Sequence, residues 1–171
     1  MRKRLLFLIA SITVILITVV GCIKNENDNK KDPFYENAPI EPNKNKLLEL
    51  VNNYRQSGCN CGSKYFPPAE PVVWNGLLEN AAKIHSNDMN QNNFFNHIGS
   101  NGNGPGDRIS YVGYVWVKCG ENIAKGYKSE NDVIISWIKS EGHCTNIMDP
   151  NFKDMGVATS GIYWTQVFGA K

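Results

Sequence analysis

The chain has 171 residues, 42% of them hydrophobic, with 18 Lys+Arg against 16 Asp+Glu and three histidines. That length suffices for one domain with one core. Three of the basic residues, Arg2, Lys3 and Arg4, stand at the extreme N-terminus; without them the net charge is −1, which excludes an electrostatic footprint for nucleic acid and gives an anionic membrane no hold on the domain.

In chain order, the basic head is followed by an almost unbroken apolar run over 5–20 and then Gly21-Cys22. A charged head, an apolar centre and a small residue before the cut predict a secretory signal over 1–21. "VVGC" resembles a bacterial lipobox, in which Cys22 would become the mature N-terminus and carry lipid. The expected location is extracytoplasmic, lipid-anchored to a bacterial cell membrane. Residues 22–42, rich in Asn, Asp and Lys with scattered prolines, read as a solvated tether, and 43–171 as the domain.

Leu47, Leu50, Val51 and Tyr54 recur at helical spacing and predict a helix over 43–56; Leu77, Leu78, Ala81, Ile84, His85 and Met89 predict another over 74–91. His85 lies on that apolar stripe and reads as a packed core histidine. "GSNGNGPGDR" lacks Gly-Lys-Ser/Thr and a preceding strand, so it is a turn-rich loop rather than a phosphate cradle. Asp107 and Arg108 are expected to start a short helix and pair locally. Tyr114 to Val117 has strand character, with Ile123 extending it. Ser129 with Asp132 has the capping-box form before Val133, Ile134 and Trp137. "WIKSEGHCTNIMDP" reads as a helix end, a Gly-His-Cys step and a short helical turn. Strand character returns over 155–158 and 162–168. Helices first and strands late predict α+β with an antiparallel sheet. Trp116, Trp137 and Trp164 read as packing residues.

Four cysteines lie outside the anchor: Cys59, Cys61, Cys119 and Cys144. In a secreted chain they predict disulfides, and "CNC" lacks zinc-knuckle spacing. A Cys59–Cys61 bridge would be strained, so each is expected to reach Cys119 or Cys144. Cys144 is thereby structural, and His143 is left as the group with chemistry. Ser140, three residues before His143, has no Gly-x-Ser-x-Gly elbow to make it a nucleophile.

"HSNDMNQNNFFNHIGSNG", "GENIAKG", "SWIKSEGHCTNIMDPNFKDMGV" and "YWTQVFG" occur in the order found in bacterial CAP (SCP-like) domains, the superfamily of cysteine-rich secretory proteins, antigen 5 and pathogenesis-related 1. The resemblance spans roughly residues 44–169. It implies a three-layer α-β-α sandwich with a central antiparallel sheet and a His/Glu-lined cleft near the sheet edge. It also implies the pairing Cys61–Cys144, which leaves Cys59–Cys119. Carried over by residue, the resemblance puts His97 and Glu121 in the cleft. The position of the second family Glu is Ser140 here, and that of the last family His is Tyr163. Bacterial members offer the Gly-His histidine instead, which is His143.

His97, Glu121 and His143 would suit zinc or another divalent cation, although the ligands come from three separate segments and no His-Glu-x-x-His enforces the site. The reading is a membrane-tethered binding module for a divalent metal, a peptide or a small apolar ligand, with a peptide, lipid or envelope component as partner. No catalytic residue is assigned. The alternatives are a metal- or acid/base-dependent hydrolase of peptide or cell-wall material, and an envelope protein with a vestigial cleft. Ser140 and Tyr163 weaken the hydrolase, since each replaces a family cleft group.

Overall fold

Asn43 accepts a hydrogen bond from the Lys46 backbone N–H, and so starts α1 (Lys44–Ser57). The described residues are 41–171, in a computed structural model; the signal, Cys22 and nearly all of the tether lie outside them. Leu47, Val51 and Arg55 are the fully buried side of α1. Gly58, at φ +71°, ends it in a conformation that favours glycine. A hairpin follows, β1 (Cys59–Cys61) against β2 (Lys64–Phe66), and then β3 (Val73–Trp74).

Asn75 caps α2 (Gly76–Asn92) by accepting from the Leu77 and Leu78 N–H groups, so Trp74 belongs to a strand rather than to the helix. Next come α3 (Pro105–Tyr111), β4 (Lys118–Lys125), α4 (Glu130–Lys139) and α5 (Glu141–Met148). The chain ends in β5 (Asp154–Ser160) and β6 (Tyr163–Ala170). The main sheet has the order β3-β5-β6-β4, antiparallel except for the short β3–β5 pair.

Side-chain alternation along these strands separates two apolar layers. Ala124, Met155, Val157, Trp164 and Phe168 pack on α1, α4 and α5. Val167 and Ala158 face Leu78, Ala81 and Ala82 of α2 and Ile109 of α3. The α-β-α sandwich is therefore present, and Gly156 shows how tightly it closes. A Cβ there would lie 2.1 Å from the Glu79 backbone nitrogen, so α2 rests directly on the β5 backbone.

Two further expectations need correction. Residues 114–117 are not a strand: Val115 and Val117 are about four-fifths exposed, and the strand is the polar segment that follows. Only one expected disulfide forms, Cys61–Cys144; Cys59 and Cys119 are free thiols. Cys59 packs with the α1/α4/α5 layer and Cys119 with the α2/α3 layer, so the sheet stands between them.

Candidate functional site

β4 is an edge strand, and alternation turns Glu121 toward α2 and Asn122 toward α5. Glu121 is sealed, with its side chain 2% exposed, and both carboxylate oxygens are engaged. Arg108 Nη2 lies 2.8 Å from Oε2, and His97 Nδ1 lies 2.8 Å from Oε1. The expected local pair of Asp107 with Arg108 is thus absent. Asp107 accepts from the Gly104 N–H, while the buried Arg108 reaches across to β4. Its guanidinium also donates to the carbonyls of Asn103 and His97, fixing the loop that carries His97.

His85 is more than a packed core residue. Its Nε2 donates to the Asn96 carbonyl at 2.9 Å and lies 3.7 Å from Glu121 Oε1, and its buried Nδ1 has no hydrogen-bond partner. Burial, aided by the Arg108 charge, pushes its pKa below the ordinary imidazole value, against the pull of Glu121; the ring is neutral at neutral pH.

His143 approaches from the opposite layer, in the first turn of α5. Its carbonyl accepts from Asn122 Nδ2 at 3.1 Å, and Asn122 also bonds Gln166 and Asn146. Asn146 Nδ2 donates to the Glu121 carbonyl, so α5 is stitched to the β4 edge at His143 and again one turn on, at Asn146. Burial lowers the His143 pKa, and a charge on His97 lowers it further. His97 thus meets Glu121 on the α2 side of the edge strand, and His143 stands on the α5 side.

The other two cleft expectations fall elsewhere. Ser140 is the junction between α4 and α5; its carbonyl accepts from the Cys144 N–H, and its side chain makes no cap bond. Tyr163 is buried with Met89 and Ile123 and donates to Asn93 Oδ1. It pairs with Lys125, whereas Glu121 pairs with Val167, which places it about 13 Å along the sheet. An open pocket formed by Tyr127, Lys128, Asp132, Ser136 and Lys139 shares no residue with the His97–Glu121 set.

The donor set constrains what can bind. With Nδ1 bonded to Glu121, His97 has Nε2 left as a ligand atom, and the carboxylate acts as its orienting partner. Glu121 keeps spare lone pairs, but its side chain is only 2% exposed, which sets it behind the His97 ring. The expected trio His97, Glu121 and His143 does not close into a three-ligand cluster among the described residues; the structure joins His97 to Glu121, with His143 on the α5 side of the edge strand. The three ligand atoms that do lie within 4.8 Å of one another among the described residues are the sulfurs of Cys59, Cys61 and Cys144. Two of them form the disulfide and are not thiolate ligands.

Residues 48–168 match the CAP family, described as the cysteine-rich secretory protein family. The chain belongs to this family. Its CAP domain is 36% identical over 128 residues to YkwD of Bacillus subtilis, described as uncharacterised, covering 74% of this chain and 46% of YkwD. The chain thus spans about half the length of that relative. An extracellular protein containing a SCP domain from Bacillus anthracis is 26% identical, with a TM-score of 0.65 over 74% of this chain and 40% of that one. NaASP2, solved with Zn2+, superposes with a TM-score of 0.55 at 16% identity, covering 78% of this chain and 82% of its own, and shows the shared fold. No helix among the described residues of the CAP domain is long and apolar enough to cross a membrane.

Proposed function

We propose that this CAP domain is an extracytoplasmic binding module, tethered to a bacterial membrane by lipid on Cys22, whose cleft at the β4 edge takes a divalent cation of the zinc class between His97 and His143. The observation that carries the proposal is the bond from His97 Nδ1 to a buried Glu121, which fixes the ring and leaves Nε2 as a basic ligand atom. The Cys61–Cys144 bridge suits an oxidising compartment, and the Bacillus anthracis relative is described as extracellular. Two protein ligands leave positions for water or for a donor group of a peptide or envelope partner.

The binding reading is preferred to the hydrolase because Glu121, its side chain 2% exposed and its charge paired with Arg108, is sealed from a substrate water and poorly placed to act as a general base. Calorimetric zinc titration on a Cys59→Ser, Cys119→Ser background, where no free thiol competes, tests the proposal. His97→Ala and His143→Ala should each abolish most of the affinity, and Glu121→Gln should weaken it by about 10–100-fold. Undiminished binding in His143→Ala, or none in the parent, rejects the site. Mass spectrometry of membrane-extracted protein tests the anchor separately: an unmodified N-terminus other than Cys22 rejects it.

A further inference from the structure

Cys59 and Cys61 are two residues apart in β1 and so project to the same face of the strand. That face meets α5, where Cys144 sits. Cys61 and Cys144 are bridged and wholly inaccessible to solvent. The free Cys59 thiol lies 3.7 Å from Cys144 Sγ, in van der Waals contact with the sulfur of an existing disulfide. Cys119, the other free thiol, is in the opposite layer.

We propose that Cys59, Cys61 and Cys144 form an intramolecular thiol–disulfide exchange site, in which Cys59 attacks Cys144 and moves the bridge from Cys61 to Cys59. Cys59 loses its thiol proton, and the thiolate electron pair forms the Cys59–Cys144 bond. The Cys61–Cys144 bond breaks with its electron pair on Cys61, which leaves as a thiolate and takes up a proton. The number of disulfides is unchanged, so no oxidant or reductant is consumed.

The two bridges close almost equal loops, with sequence separations of 83 and 85. The chain-entropy contribution is then nearly the same for both, and local packing of β1 on α5 decides between them. Cys59 Sγ has only to close from 3.7 Å to the roughly 2.0 Å of a disulfide, a small adjustment of β1 against α5. Cys144 is next to His143 in α5, so the exchange couples to the cleft without depending on what the cleft binds. A three-thiolate metal set would exist only after reduction, whereas the exchange needs only the oxidised protein. Burial raises the Cys59 pKa, so the thiol is mostly protonated at neutral pH.

The test uses the full chain under argon with chelator at about pH 8.5, where more thiolate is present. Samples are quenched in acid over time and alkylated, and tandem mass spectrometry places label and bridge within the peptide 56–64. Label should appear on Cys61 as well as Cys59, together with a Cys59–Cys144 bridge, at a rate independent of protein concentration. Cys61→Ser should bridge Cys59 to Cys144, and Cys59→Ser should leave Cys61 unlabelled. Label confined to Cys59 and Cys119 throughout, or exchange whose rate scales with protein concentration, overturns the proposal. The wild-type time course decides the matter even if Cys61→Ser fails to fold.

Discussion

Arg108 and Glu121 form an ion pair at 2.8 Å in which neither side chain is more than 5% exposed. Both come from segments whose local sequence gives no sign of the other. Breaking such a pair leaves an uncompensated buried charge, which costs about 3–5 kcal/mol. Glu121→Ala should therefore lower the unfolding free energy by that much, and Glu121→Gln, which keeps a hydrogen-bond acceptor, by less. Denaturant titration measures both. A loss under about 1 kcal/mol in Glu121→Ala, the range of an exposed pair, would show that the pair is effectively solvated.

How far the sequence reaches is visible in these same residues. Asn43 could be placed at a helix start because an apolar 3.6-residue period begins beside it. Gly-His-Cys could be placed at a helix junction for similar local reasons. The strand at Lys118–Lys125 contains the expected extension at Ile123, but its start was placed too early because Tyr114 to Val117 carries the aromatic and β-branched character of a strand, while Glu121 and Asn122 do not. Those two polar side chains are tolerated in the sheet because Arg108, His97, Gln166 and Asn146 bond them, and these are partners distant in sequence. Cys59–Cys119 was expected once Cys61–Cys144 was assigned; nothing in the spacing of the cysteines shows that the sheet lies between them.

His85 should give the fold a pH dependence in a definite direction. Its folded pKa is depressed, chiefly by burial and also by Arg108, with Glu121, the Asn96 carbonyl and Asp88 acting the other way. The unfolded chain takes up that proton at about pH 6.5, before the folded protein does. Below that pH the unfolded state holds more protons, so stability is full above about pH 6.5 and falls as the pH drops toward the folded value. The half-buried His143 contributes with the same sign. Unfolding free energies between about pH 7.5 and 5.5, above the ordinary carboxylate range, should fall in the parent and fall less steeply in His85→Gln. Parallel slopes for the two proteins would remove His85 from the account.

Gly156 tests the packing of the sandwich itself. Its ideal Cβ would lie 2.5 Å from the Leu78 carbonyl carbon as well as 2.1 Å from Glu79 N. Both are backbone atoms, so no side-chain rotation relieves the clash. Gly156→Ala must separate α2 from β5, and the expected loss is about 3 kcal/mol, at the upper end of overpacking costs. Gly142→Ala, where nothing lies within 4 Å of the added carbon, is the matched control and should change the melting temperature little. Equal melting temperatures for the two variants would mean that α2 does not rest on β5 as described.

Cys144 is the sulfur common to both bridge isomers, and its removal should be felt more than that of either partner. Cys61–Cys144 closes a loop with a sequence separation of 83, worth about 4.5 kcal/mol in the chain-entropy model. Cys144→Ser leaves Cys59 and Cys61 within reach only of each other among the described residues, Cys119 lying in the opposite layer, in a geometry that disfavours a bridge, so that stabilisation is lost entirely. Cys61→Ser retains Cys59 within reach of Cys144 and should lose markedly less. Denaturant unfolding of the two variants, without reductant, ranks them. Adding reductant should then lower the stability of Cys61→Ser and of the parent, while leaving Cys144→Ser unchanged. Equal losses in the two variants without reductant would show that Cys59 does not take over the bridge.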